Sequence, residues 1–261
     1  MQNAYPVFEE LLSLSLVEIK ERQATKLDNI VVSFLKELES SFTVLGVLAA
    51  IESYDSTCLF VSYSVKTTFL KNNIPLSIII NYSGDRPLYY FLSLSQVISL
   101  YNAKNFRNIL IGGSQDGSVI LWDMRDSEIR HRKDPHDLLQ MLRENMPAQL
   151  IKEVVFRLPN FSTDYMTSEG HTSPITKITD YSTGSSTEIL TLEEFGTLIF
   201  WNLVESGVND INIGNLSLGM SVNSRIKVIK TMSIQLNEIS PSLSESNLLC
   251  RDLEYDRNSS K

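Results

Sequence analysis

The stretch Ile109-Leu-Ile-Gly-Gly-Ser-Gln-Asp-Gly-Ser-Val-Ile-Leu-Trp122-Asp123 returns 79 positions later as Glu188-Ile-Leu-Thr-Leu-Glu-Glu-Phe-Gly-Thr-Leu-Ile-Phe-Trp201-Asn202. Gly117 lies on Gly196, Trp122 on Trp201, and apolar residues align with apolar residues on both sides. Each copy reads as strand, glycine turn, and a second strand ending in tryptophan. Asp116-Gly117 suits a tight hairpin, since glycine accepts the positive φ that such turns demand. Unbroken apolar strands are expected where both faces of a sheet are covered. Gly112-Gly113 permits close backbone approach. Trp122 is expected to close the outer strand of its sheet and fill the space between two sheets, its indole N–H bonded to a hydroxyl or imidazole nearby. The second copy is degenerate: Phe195 stands in place of the turn Asp116, and Asn202 in place of Asp123.

Outward from this pair the texture stays β-like. Runs rich in Val, Ile, Phe, Tyr and Thr recur at Phe42–Ala50, Cys58–Val65, Leu76–Tyr82, Leu88–Leu94, Ile175–Thr179 and Arg225–Leu236, with turn residues between them. Many short strands of even spacing favour a sandwich, barrel or propeller over an α/β fold. With the Trp-Asp repeat, the reading is mainly β, a WD-repeat β-propeller that is partial or open. One repeat takes about 40–45 residues, so the offset is nearly two blades, or one blade carrying an insertion. Residues 41–239 would then hold four or five blades, and an incomplete ring leaves strand edges unpaired. Gly112, Asp116, Gly117, Trp122, Asp123, Gly196 and Trp201 are read as builders of this fold. Partner-contacting residues belong on rims and loops that sequence does not single out.

Residues 1–40 read as a helical segment. From Lys26 to Glu39 the apolar residues Leu27, Ile30, Val31, Phe34, Leu35 and Leu38 fall on one helical face. That face is suited either to cover an apolar surface of this chain or to dock on a partner. A helical insertion is expected near 137–144, with Asp137 as its N-cap. The serine-rich end, 240–261, reads as a polar, disordered tail.

A formal net charge of -8 argues against a general nucleic-acid binder. The one dense basic run, Arg130-His131-Arg132-Lys133, is followed by Asp134 and Asp137 and reads as a solvated loop. Cys58 and Cys250 have no metal or redox spacing, and Cys58 reads as a small buried hydrophobe. No signal peptide or membrane span is legible, so the expected compartment is the cytoplasm. His131, His136 and His171 fit no ligand or triad spacing, and neither a nucleophile elbow nor a phosphate-binding loop is present. His171, in Gly170-His171-Thr172, reads as a structural histidine, and Glu193-Glu194 as solvated residues beside a turn. No catalytic residue, cofactor or metal is expected.

The run Asn108–Arg125, ending Val-Ile-Leu-Trp-Asp-Met-Arg, resembles the first clear repeat of dynein intermediate chains. Three stretches outside the repeat resemble the dynein-2 member: Phe156-Arg-Leu-Pro-Asn-Phe-Ser-Thr-Asp164, His171-Thr-Ser-Pro-Ile175, and Leu218 to Leu236 with its Arg225-Ile-Lys-Val and Ile234-Gln-Leu. The resemblance covers roughly Phe42 to Leu236. It implies a non-catalytic scaffold at the cilium, its base and the cytoskeleton. Such a scaffold would bind the dynein-2 heavy chain beside a second WD-repeat intermediate chain, in retrograde intraflagellar transport. Light-chain binding in that family uses a long N-terminal arm, which has no visible counterpart here. The competing reading is an unrelated WD-repeat adaptor of a ubiquitin-ligase or trafficking complex.

Overall fold

The computed structural model describes residues 42–236 apart from breaks at 68–74, 134–139, 141–143, 145–153, 166–169, 181–186 and 206–218 and a few isolated positions, together with Cys250. Three sheets, the first of five strands and the others of four, follow one another along the chain, antiparallel but for one short strand in the first. The first contains β1 (Phe42–Glu52), β2 (Leu59–Thr67), β3 (Leu76–Ser83) and β4 (Arg86–Ser93). The second contains β5 (Val97–Asn102), β6 (Ile109–Ser114) and β7 (Val119–Asp123), closed by the two-residue β9 (Phe161–Ser162). The third contains β10 (Ile175–Asp180), β11 (Thr187–Glu193), β12 (Thr197–Glu205) and β13 (Ile226–Gln235). A further short strand, β8 (Phe156–Arg157), pairs in parallel with β4.

Burial explains the apolar runs. Phe60, Ile79 and Phe91 of the first sheet pack against Val97, Leu100, Leu110, Ile120 and Trp122 of the second. The opposite face of the second sheet gives Ile109, Ile111, Val119 and Leu121 to a core shared with Ile175, Ile189, Ile199 and Trp201 of the third. The middle sheet is thus apolar on both faces, and β6 and β7 are buried at every position. The first strands of the sheets lie together, β5 touching β1 on one side and β10 on the other. Sheets stacked face to face, with their first strands gathered at one edge, are the blades of a partial β-propeller. Serines fasten the seams: Ser62 Oγ donates to Val97 O at 2.8 Å, and Ser99 Oγ donates to Ile175 O at 2.7 Å.

Several expectations need correction. The described residues form three blades, where chain length suggested four or five, because the first blade spends its residues on strands of up to 11 and the second carries an insertion. The 79-residue offset is therefore one blade plus an insertion. Trp122 lies on the third strand of its sheet, since β9 adds outside it. The basic run is no loop: Glu128–Lys133 form a short helix, α1, against β8, and His131 is buried with Nε2 3.7 Å from Asp126 Oδ2. Cys58 is half-buried at the β1–β2 turn. Cys250, placed in the polar tail by sequence, seats against the third blade, its N–H donating to Glu194 O at 2.8 Å. The helices expected within 1–40 lie outside the described residues. Of the helix expected at 137–144, only Gln140 and Glu144 are described, joined by a 3.0 Å side-chain bond one helical turn apart; the rest lies outside.

Candidate functional site

The two hairpins of the repeat are built alike. Gly117 N–H donates to Ser114 O at 3.2 Å and Gly196 N–H to Glu193 O at 3.0 Å, and both glycines have φ of 89°. Each loop is a turn closed by a left-handed residue, which glycine occupies without a side-chain clash. In the first loop the Asp116 carboxylate accepts from Ser114 Oγ and from Ser118 N–H. Phe195, at the matching place in the second loop, is exposed. Gly113 faces the third blade, where a Cβ would come within 2.5 Å of Ile175 Cγ2.

The tryptophans differ in their polar partners. Trp201, fully buried, donates from Nε1 to Thr191 Oγ1 at 2.8 Å, and His171 Nε2 sits 2.6 Å from the same hydroxyl. On the other side of the ring, His171 Nδ1 lies 3.4 Å from Glu193 Oε2. Glu193 also accepts from the N–H groups of Thr172 and Ser173, at 2.9 and 3.2 Å, and from the Thr197 hydroxyl. Burial alone would raise the pKa of this carboxyl. The His171 ring, the Thr197 hydroxyl and the Thr172 N–H outweigh that and hold it at about 2. Glu193 is therefore an interior hub, and its reading as a solvated residue is corrected. The chain Trp201–Thr191–His171–Glu193 links two strands, β11 and β12, and the segment entering the blade.

In the second blade Gly112 occupies the place of Thr191, so no hydroxyl meets the tryptophan. Trp122 Nε1 is buried with no hydrogen-bond partner among the described residues. Its ring lies instead on Phe91 of the first blade, with centroids 5.9 Å apart. Asp123, buried beside it, clamps Arg125 through Nε at 2.9 Å and Nη2 at 2.8 Å, and Arg125 Nη1 reaches Glu205 of the third blade at 2.7 Å. These hydrogen bonds, those to Asp123 above all, raise the pKa of the Arg125 guanidinium.

Sequence reasoning did not anticipate what Phe156–Asp164 does. This segment crosses from the first blade to the second at the outer rim. Phe156 and Arg157 pair with Tyr90 and Phe91 of β4, and Phe161 and Ser162 pair with Leu121 and Ile120 of β7. The buried Arg157 lies over Tyr89, 4.5 Å from its centroid, and donates to Asp126 O at 2.7 Å. Asn160 accepts from Asp123 N–H at 2.7 Å and donates to Asp126 Oδ2 at 2.5 Å. Thr163 Oγ1 accepts from Val119 N–H at 2.9 Å, and Ser118 donates to Asp164. The strap is a two-blade clasp made of hydrogen bonds that apolar periodicity cannot reveal.

Among the described residues no three His, Cys, Asp or Glu side chains converge as a metal site, and no helix is long and apolar enough to cross a membrane. The arrangement offers rims and clefts for binding.

No protein-family model matches the chain. It is 31% identical over 150 residues to cytoplasmic dynein 2 intermediate chain 1 of Mus musculus, covering 49% of this chain and 14% of that protein. It is 28% identical over 152 residues to cytoplasmic dynein 2 intermediate chain 1 of Homo sapiens, covering 50% of this chain and 13% of that protein. The matched region thus spans about one-seventh of these relatives' length. Among solved structures, the chain is similar to Hsv2p of Kluyveromyces lactis, with a TM-score of 0.40 and 7% identity over 73% of this chain and 48% of that one.

Proposed function

We propose that this chain is a scaffold subunit of a dynein motor, and that its blades hold the dynein-2 heavy chain during retrograde intraflagellar transport. The observation that carries the reading is the 31% identity over 150 residues to a dynein-2 intermediate chain. The fold is compatible with it, since rigid blades present loops to partners while their cores stay closed. The resemblance noted for Phe156–Asp164 falls on the strap, a segment that a generic Trp-Asp repeat does not require. The proposed location is the cytoplasm and the cilium with its base, beside a second WD-repeat intermediate chain.

The test is affinity purification of the tagged chain from ciliated cells, with dynein-2 heavy chain quantified by mass spectrometry. Enrichment of heavy chain over an unrelated tagged propeller is expected. Recovery of ubiquitin-ligase or trafficking subunits without heavy chain would replace this reading with that of an unrelated adaptor.

A further inference from the structure

A cleft of 360 Å³ opens between the first and second blades, on the face that carries the β1–β2 and β5–β6 turns. Asn81 of β3 lines it. This side chain is almost fully buried, yet its Oδ1 has no hydrogen-bond partner among the described residues. A buried carbonyl left without a donor is costly, so its presence calls for an explanation. Asn102, also in the cleft wall, is different: it accepts from Tyr54 N–H at 3.1 Å and donates to Ile109 O at 2.9 Å. Asn81 is the amide with acceptor capacity to spare.

The mouth of the cleft is cationic and apolar. Tyr54 and Leu88 are each about half exposed there. Arg107 lines the cleft with Cζ 5.9 Å from the Tyr54 ring centroid, and Lys104, on the adjoining cleft that shares Tyr54, holds Nζ 5.0 Å from the same centroid; no carboxylate among the described residues forms an ion pair with either. The nearby Asp55 stays ionised, its Oδ1 accepting from Ser53 Oγ at 2.8 Å and Thr57 Oγ1 at 2.6 Å, but it forms no ion pair with either cation, so two positive charges face it against one negative. Arg125 in the wall is already held by Asp123 and Glu205. Two uncommitted cations suit a pair of carboxylates better than a polyphosphate. A buried acceptor suits a backbone N–H, and exposed Tyr54 and Leu88 suit an apolar side chain between acidic ones. An extended acidic peptide presents all three.

We propose that this inter-blade cleft binds an acidic peptide segment of a partner protein, with Lys104 and Arg107 taking its carboxylates and Asn81 accepting one of its backbone N–H groups. The assignment stands apart from the dynein reading, since it rests on the cleft alone. The full chain, immobilised, is panned against a phage-displayed library of random dodecapeptides, and enriched sequences are resynthesised with a fluorescent label for anisotropy titration. Acidic sequences holding at least one apolar residue are expected. Their affinity should fall about tenfold in the Lys104→Glu/Arg107→Glu double variant, where attraction becomes repulsion, and should hold in Lys66→Glu, an exposed charge reversal on β2. Asn81→Leu should weaken binding severalfold; because that site is buried, its folding is checked by thermal melting. Enrichment of neutral or basic sequences, no enrichment, or equal binding by the double variant would overturn the proposal.

Discussion

Replacing Thr191 by valine isolates the polar chain of the third blade with almost no change of shape. The hydroxyl it removes receives the Trp201 N–H at 2.8 Å and contacts His171 Nε2 at 2.6 Å, and all three residues are buried. Valine fills the same volume, so no cavity term enters. The cost comes from two buried polar groups left without a partner, at about 1–3 kcal/mol each. The sum, about 2–6 kcal/mol, is a large fraction of the ~5–15 kcal/mol by which a domain of this kind is stable. Thr191→Ser keeps the hydroxyl and loses one methyl group, which costs only ~1 kcal/mol. Urea unfolding followed by tryptophan fluorescence measures both, because Trp201 itself reports the site. If Thr191→Val lies within about 0.5 kcal/mol of the parent, or above Thr191→Ser in stability, the polar chain contributes nothing and the argument fails.

Two further outcomes follow from the geometry. Gly117→Ala and Gly196→Ala share a φ of 89°, and that strain alone is worth about 1–2 kcal/mol. At Gly117 a Cβ would also lie 2.6 Å from the His171 carbonyl oxygen, whereas at Gly196 its nearest neighbour is the Leu236 side chain at 3.4 Å. Gly117→Ala is therefore expected to lower the melting temperature more than Gly196→Ala, and the reverse order would contradict the packing described. The Glu193 carboxyl titrates at about 2 in the folded chain, below its ordinary value of 4.5. A depressed carboxyl stabilises the fold above its unfolded pKa and loses that contribution as pH falls from 4.5 towards 2, at most about 3 kcal/mol in all. The acid side of the stability profile should flatten in Glu193→Gln, and an unchanged slope between pH 4.5 and pH 2 would show that the carboxylate is not held.

What was legible in the sequence is what a doubly covered sheet writes into its strands. Val119-Ile-Leu-Trp and Ile109-Leu-Ile are continuous apolar runs because neighbouring blades bury both faces. The strand Val97–Asn102 escaped notice because Ser99 and Asn102 are polar at buried positions, where they bond across the seam and into the next loop. The strands Phe156–Arg157 and Phe161–Ser162 have no local pattern at all, being fixed by partners far away in sequence. Glu193 looked solvated because its partners His171, Thr172 and Thr197 come from other segments. His131 sits in a run whose composition describes its exposed neighbour Arg132 rather than its own inward ring. Apart from His131, the missing information in each case is a polar bond to another segment, which periodicity does not encode.

The two seams of the propeller share serine bonds across the blades but differ in how they treat the tryptophan. Between the second and third blades, Ser99 bonds Ile175, Arg125 reaches Glu205, and Trp201, at the centre of the shared core, is tied to Thr191. Between the first and second, Gly112 supplies no hydroxyl, and Trp122 contributes its ring to Phe91 but makes no hydrogen bond among the described residues. Gly112 cannot simply be converted to a partner, since a Cβ there would come within 2.8 Å of Val97 and 3.1 Å of the indole. The strap closes this seam from outside, pinning β4 and β7 together at the rim. Two buried polar atoms without partners among the described residues, Trp122 Nε1 and Asn81 Oδ1, belong to residues facing this same seam. Both seams carry internal polar bonds, from Ser62 and Ser77 to Val97 in the first and from Ser99 to Ile175 in the second, and the first adds a peripheral clasp. A cleft with unspent hydrogen-bonding capacity therefore opens between the first two blades, which is where an incoming chain has most to satisfy.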